Sequence, residues 1–573
     1  MSAIDKIEHI VVLIMENHSF DQMLGCLNAV YPELDGVSSA NKNSDDEGGE
    51  FFQIPGTERQ MLLDPHHEVP HVARQLQGGN GGFVMDFVES QRNEKTPRNP
   101  PPTARQYIMS YYPLDSLPAL HGLGRIFTVC DRWHSSLPGP TWPNRFFALS
   151  GTCLGRVDMP DDGVSGKDIP GFFQQTQDTI FDRLTEAGIH WNVYFHDIPQ
   201  SWTMKHMRAP HNAARYFYMR QFYEDARGAE RDFPQFSLIE PDYMGTEEND
   251  DHPPHDIMKA EKLIADVYNA LRGNEELWAK TLLVIFYDEH GGFYDHVKPP
   301  TGVIAPDDHI AKDPKGAWTF DFKQLGVRVP AILASPWVGA RVEKTLFDHT
   351  SLLKFVQDKW HLRPLESKRI AAATSIAVAL TEQAPRTDTI PRIVMTPDQL
   401  VPPDMELEEQ AFGLVTEHHK ALKHFANFLP SALWEDATKA GDEAAPRIYS
   451  ALARAATGAL DWLRGRCETG MATLYGTKGY HVAIARPDRL ASESTTARNE
   501  VVRFLSTQKP RAVEGLANRI NDENRPVQER HHALRTLSAM TGRPFHRHDT
   551  TFARRWIARH APSAGQTPQR NDR

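Results

Sequence analysis

The chain has 573 residues, 24% of them charged and 40% hydrophobic, and carries a formal net charge of −12. That length exceeds one comfortable core and predicts two domains, or one large domain with an appendage, in a composition ordinary for a soluble globular protein. No window approaches the roughly 18 apolar residues of a membrane helix, and Cys26, Cys130, Cys153 and Cys467 form no CxxC pair, which argues against a thiolate metal site or a disulfide framework.

The opening MSAIDKIEHIVVLIMEN lacks a basic leader and a small-residue cleavage site, so it reads as a first core strand. The expected location is cytoplasmic, or outside the cell by a leaderless route. Further strands are predicted at IFTVCDRW, IHWNVYF, FSLIE, TLLVIFY and VPAILASPW, several of them apolar on both faces. FFALSGT, TIFDRLTEAG, DIMKAEKLIADVYNALRG and HTSLLKFVQDKW suit helices between them. This alternation predicts an α/β fold, a three-layer α/β/α sandwich with a mostly parallel central sheet, over residues 1–369. Residues 36–105 are rich in Gly, Asn, Asp and Pro and read as a loop-rich insertion near the ligand-binding edge of the sheet. From about residue 370 the strand signal fades, and 370–573 is expected to be a mainly helical C-terminal region. Its end is basic: from His481 to Arg573, 17 Lys and Arg stand against 9 Asp and Glu. Such a stretch suits an anionic membrane surface or the acidic body of the chain itself.

Three separated segments carry chemistry. Glu16 and Asn17 directly follow the first strand, Asp288 and Glu289 follow TLLVIFY, and Thr141 stands before Trp142-Pro143 at a predicted helix start. Ligands of open α/β sheets collect beyond the carboxyl ends of strands, where these acids fall. Adjacent carboxylates repel unless a cation or basic group is near, and Gly291-Gly292 lets the backbone turn tightly beside a ligand. Thr141 reads as a helix-capping hydroxyl or as a nucleophile whose phosphoryl oxygens the helix start would receive. Oxygen donors select one hard divalent ion, Ca²⁺ ahead of Mg²⁺, with Zn²⁺ as a further alternative. His134, His252, His255, His290, His296 and His349 lie in polar loops close to these segments, where a histidine serves either as a structural hydrogen-bonding group or as a holder of phosphate oxygens.

The segments IEHIVVLIMENHSFDQMLG, FTVCDRWHSSLPGPTWPNRFFALSGT, DDHPPHD, YDEHGGFYDHV, GVRVPAILASPWV and FDHTSLLKF, in this order over about residues 5–365, resemble the bacterial and plant phosphoesterase family. That family includes non-specific phospholipases C and acid phosphatases and belongs to the alkaline-phosphatase-like superfamily. The resemblance implies that Glu16, Asn17, Asp288 and Glu289 bind the metal together with Thr141, the nucleophile. It makes His134, His255 and His349 candidates for gripping the phosphoryl group, with His252 competing with His255 in DDHPPHD, and Asn17, His252 and His290 are the expected substrate-binding residues. The implied reaction is hydrolysis of glycerophospholipids to diacylglycerol and a phosphorylated headgroup through phosphothreonine. A phosphomonoesterase of the same family, or a non-enzymatic membrane- or partner-binding protein, are the alternatives. Phospholipid is the expected substrate, nucleic acid is not an expected partner, and oligomeric state, headgroup and acyl preference stay open.

Overall fold

His9–Met15 (β1) is a run of seven buried residues, HIVVLIM. A strand that is apolar on both faces must be covered on both, and β1 lies in the interior of an eight-stranded sheet. The other strands are Thr128–Cys130 (β2), Trp191–Phe195 (β3), Tyr216–Tyr218 (β4), Phe236–Glu240 (β5), Thr281–Tyr287 (β6), Ala331–Ala334 (β7) and Arg341–Glu343 (β8). Their spatial order is β8-β2-β7-β6-β1-β5-β3-β4. Only β7 runs antiparallel to its neighbours, β2 and β6; the remaining pairings are parallel.

The computed structural model describes residues 3–400 apart from 95–96, 161–168, 210–211, 213–214, 244–247 and 314–315, and residues 416–425 apart from 417 and 423. Nearly all of these belong to one compact unit, Met1–Arg208 with Arg215–His424. Most of the expected C-terminal helical region, including its basic end, lies outside the described residues.

Helices cover both faces of the sheet, which gives the expected three-layer sandwich. Thr141–Ser150 (α1) packs with Ile180–Glu186 (α2) and His349–Trp360 (α4). Ile257–Arg272 (α3) packs with the helices Pro118–Gly124 and Met219–Arg227. In α3 the sequence logic is plain: Asp256 caps it by accepting from Met258 N–H, and Ile257, Ala260, Ile264, Val267 and Leu271 recur at helical spacing and are buried. Among the described residues no helix is long and apolar enough to cross a membrane.

Residues 36–105 differ from the loop expected there. They hold the helices Val69–Gln75, Phe83–Asn93 and Pro102–Met109. Val72, Phe83, Phe87 and Ile108 share a buried cluster with Phe293, Tyr294 and Val327, which come from beyond β6. These helices are short and bounded by Gly82 and Pro101, so local pattern is weak. Burial against distant residues stabilises them.

Candidate active site

Strand register builds the site. Met15 of β1 pairs with Tyr287 of β6, so Glu16 and Asp288 leave the two strands side by side. The Asp288 N–H donates to Met15 O at 3.0 Å. Asn17 follows with φ 59°, a left-handed conformation that Asn tolerates better than most residues. Its N–H donates to Asp288 Oδ1 at 3.3 Å. Gly291 has φ 62°, and a β-carbon there would stand 2.1 Å from Asn17 O. Glycine is therefore what lets the loop after β6 close on the loop after β1.

Thr141 is the first residue of α1, and Pro140 occupies the N-cap position. Its hydroxyl does not cap the helix; Oγ1 lies 3.4 Å from Asn17 Oδ1. The loop before it is braced by Asn144, whose amide donates to Gly139 O at 2.8 Å and accepts from Leu137 N–H at 3.1 Å. One turn after Thr141, on the same helix face, Arg145 reaches both strand ends. Its Nη2 is 3.0 Å from Glu16 Oε1 and its Nε 3.0 Å from Asp288 Oδ2. Gln200 Nε2 donates to Glu16 Oε1 at 2.7 Å.

Glu16, Asp288 and Glu289 are fully buried. Burial raises the pKa of each above the ordinary carboxylate range; Arg145 opposes the rise at Glu16 and Asp288, and His67 opposes it at Glu289. Burial also works against a charge on His67, but Glu289, Glu68 and Asp64 outweigh it and push this imidazole up to about 9. Even so, Glu289 Oε1 is buried with no hydrogen-bond partner, and His67 Nε2 stands 3.6 Å away. A buried, unsatisfied carboxylate oxygen beside two further carboxylates, an amide and a hydroxyl fits a divalent cation. The family's implied metal therefore suits the residues present.

The predicted histidines separate. His252 converges on Glu16 together with His418, their donor atoms lying within 4.8 Å of one another. Burial, with His418 and His255 nearby, lowers the His252 pKa well below its ordinary value. His290 Nε2 donates to Gln75 Oε1 at 2.9 Å, with Nδ1 3.5 Å from Glu289 Oε2. His349 has both ring nitrogens engaged: Nε2 donates to Asp288 O at 2.8 Å and Nδ1 accepts from Trp133 Nε1–H at 3.2 Å. In this arrangement it braces the Asp288 backbone. His255 turns to Glu248 and Asp250, at 3.0 and 2.5 Å. His134 donates from Nδ1 to Gly326 O at 2.9 Å; among the described residues no hydrogen bond or ion pair joins it to Thr141 or the site carboxylates. His296 binds Asp21 and Asp35, both at 2.8 Å.

Arg145, His67, Gln200 and the pair His418-His419 were not singled out by the sequence. Arg145 had a usable signal, since it lies four residues after Thr141 on one helix. His67 sits in DPHHE, inside the stretch read as loop. His418 Nδ1 lies 2.9 Å from Glu16 Oε2, and its Nε2 accepts from Gln200 Nε2 at 2.9 Å. Nothing local in TEHHK announces a contact some 400 residues away.

A helix-start hydroxyl presented to a pocket of cation-seeking oxygens suits attack on phosphorus, and with the family comparison the chain is a phosphoric ester hydrolase. Residues 7–363 match the phosphoesterase family, and the chain belongs to it. It is 34% identical over 410 residues to non-specific phospholipase C6 of Arabidopsis thaliana, covering 68% of this chain and 75% of that one. It is 31% identical over 396 residues to phospholipase C A of Mycobacterium tuberculosis, covering 62% of this chain and 73% of the relative. With non-hemolytic phospholipase C of Burkholderia pseudomallei the identity is 27% over 412 residues, with 63% and 56% covered.

Proposed function

We propose that this chain is a metal-dependent phospholipase C, cleaving glycerophospholipids to diacylglycerol and a phosphorylated headgroup with Thr141 as the nucleophile. The observation that carries the reading is the 3.4 Å approach of Thr141 Oγ1 to Asn17 Oδ1, on a helix that Arg145 ties to Glu16 and Asp288. The names of the relatives, phospholipases C of plants and bacteria, support the substrate class.

Glu16, Asn17, Thr141, Asp288 and Glu289 would hold the divalent ion, Ca²⁺ ahead of Mg²⁺ or Zn²⁺, which when bound supplies Lewis acidity and lowers the pKa of the threonine hydroxyl. Thr141 Oγ forms a bond to phosphorus while the bond from phosphorus to the glycerol oxygen breaks, and diacylglycerol leaves with a proton. The start of α1 and His67 stabilise the charge on the phosphoryl oxygens. His252, a neutral imidazole, takes a proton from the water that attacks phosphorus and returns it to Thr141 Oγ as the bond from that oxygen to phosphorus breaks and the phosphorylated headgroup leaves. The phosphoryl-gripping role expected of His134, His255 and His349 is given instead to His67: His255 turns to Asp250 and Glu248, His349 has both ring nitrogens bonded, and His134, bonded only through Nδ1, makes no hydrogen bond to Thr141 or the site carboxylates among the described residues.

The test is hydrolysis of phosphatidylcholine and phosphatidylethanolamine vesicles and of p-nitrophenyl phosphate, with Ca²⁺, Mg²⁺, Zn²⁺ or chelator. Diacylglycerol release that needs a divalent ion supports the proposal. Turnover of the monoester alone would make the protein a phosphatase, and full activity in chelator would remove the metal.

A further inference from the structure

Two histidine pairs from distant parts of the chain meet beside the catalytic carboxylates. His252 and His255 are three residues apart after β5, and His418 and His419 are neighbours on a short helical segment. One member of each pair, His252 and His418, converges on Glu16. The other members, His255 and His419, converge on Glu248, a residue with no part in the chemistry at Thr141.

The Glu248 cluster has the features of a built cation site. Its three side chains are buried, and one donor atom from each lies within 4.8 Å of the other two. His255 Nε2 is 3.0 Å from Glu248 Oε2, and His419 Nε2 is 3.4 Å from Glu248 Oε1. The two imidazole centroids are 5.4 Å apart. A carboxylate and two imidazole Nε2 atoms form a common donor set for zinc and similar ions, with a fourth position for water.

At His255 the outer contact fits as well. A ligating histidine needs its second nitrogen protonated and bonded to an acceptor, which sets the tautomer and aims the ring. Asp250 Oδ1 meets His255 Nδ1 at 2.5 Å. At His419, Nδ1 accepts from Thr416 N–H at 3.2 Å and lies 3.1 Å from Thr416 Oγ1, so a cation on Nε2 requires the backbone contact to give way to the hydroxyl one.

We infer that Glu248, His255 and His419 form a second divalent-cation site, of zinc type, separate from the ion proposed at Thr141. Its bound ion fastens the segment carrying His418 and His419 to the catalytic unit and so holds His418 against Glu16. The site does not depend on the phospholipase reading, because none of its three ligands is a ligand of the proposed catalytic ion.

The test counts ions and reads their ligands without an activity assay. The full chain is stripped of metal, then titrated with Zn²⁺ by calorimetry and with Co²⁺ by visible absorption. The first-site double variant Asp288→Asn/Glu289→Gln should still bind one Zn²⁺ and give Co²⁺ bands of a low-coordinate nitrogen and oxygen site. Adding His419→Ala or Glu248→Gln should abolish that binding while circular dichroism stays unchanged. Asp250→Asn, acting through His255, should weaken Zn²⁺ by about 10- to 100-fold. The inference is overturned if the folded double variant binds no Zn²⁺, or if both His419→Ala and Glu248→Gln leave Zn²⁺ number and affinity as they were. Should one of these two fail to fold, the other decides.

Discussion

Arg145 Nε stands 3.0 Å from Asp288 Oδ2, while Nη2 of the same side chain stands 3.0 Å from Glu16 Oε1. One guanidinium thus links the ends of β1 and β6 to the helix that begins with Thr141. Burial works against its charge, but Tyr243, Glu16 and Asp288 raise its pKa above the ordinary value. Its planar fork suits two carboxylates at once, which an ammonium cannot match.

Arg145→Ala should therefore damage both stability and turnover. Removing one partner from a buried ion pair leaves uncompensated charge and costs about 3–5 kcal/mol. Urea unfolding would read this loss in chelated protein, and added divalent ion should recover part of it. Phospholipid hydrolysis by the refolded, metal-loaded variant should drop by about 100-fold or more. Arg145→Lys should recover stability better than turnover. Wild-type stability in the alanine variant would mean that the carboxylates do not rely on this guanidinium.

Thr141→Ala should lose turnover by several orders of magnitude with its fold intact, whereas Thr141→Ser should keep measurable activity because the hydroxyl remains. Rapid acid quenching during phosphatidylcholine hydrolysis, followed by peptide mass spectrometry, should find phosphocholine attached to the peptide containing Thr141. The same adduct on another residue would reassign the nucleophile.

Metal binding should strengthen with pH. Burial raises Asp288 and Glu289 above the ordinary carboxylate pKa in the metal-free fold. For acids raised on folding, the stabilising contribution is complete below the unfolded-state pKa and is lost as pH rises through the folded-state values. A cation needs the ionised forms and competes with those protons. The melting temperature of chelated protein should fall between about pH 5 and about pH 8.5, and the gain on adding Ca²⁺ should be larger at the higher pH. Scanning fluorimetry at both pH values checks this, and a gain independent of pH would argue against these carboxylates as ligands.

Glu261 offers a pH test away from the site. It is buried on α3, and burial outweighs the Ala119 and Leu120 N–H groups it accepts from, pushing its pKa up from 4.5 to about 8. Its contribution to stability is present below 4.5 and lost as pH rises to about 8. Glu261→Gln should accordingly gain on the wild type by up to roughly 1.4 kcal/mol per pH unit across that window. Parallel urea curves at its two ends measure the difference, and curves that do not diverge would mean that Glu261 ionises freely in the fold.

Local pattern determined much of this protein. HIVVLIM and TLLVIFY are strands because a run apolar on both faces fits a covered sheet, and Glu16, Asn17, Asp288 and Glu289 are strand-end residues because they follow those runs directly. The start of α1 at Thr141 was legible from the Pro and the apolar run after it. Tertiary structure alone decided which strand ends became neighbours: β1 and β6 pair in register, although some 270 residues separate them. It turned the Thr141 hydroxyl from a cap to a partner of Asn17, brought Arg145 and His67 to the acids, and led His134, His255 and His349 to other partners. The reason is physical. Periodicity tells which face of an element is buried, but hydrogen-bond partners and pKa values depend on what lies against that face, and sheet order supplies it from anywhere in the chain.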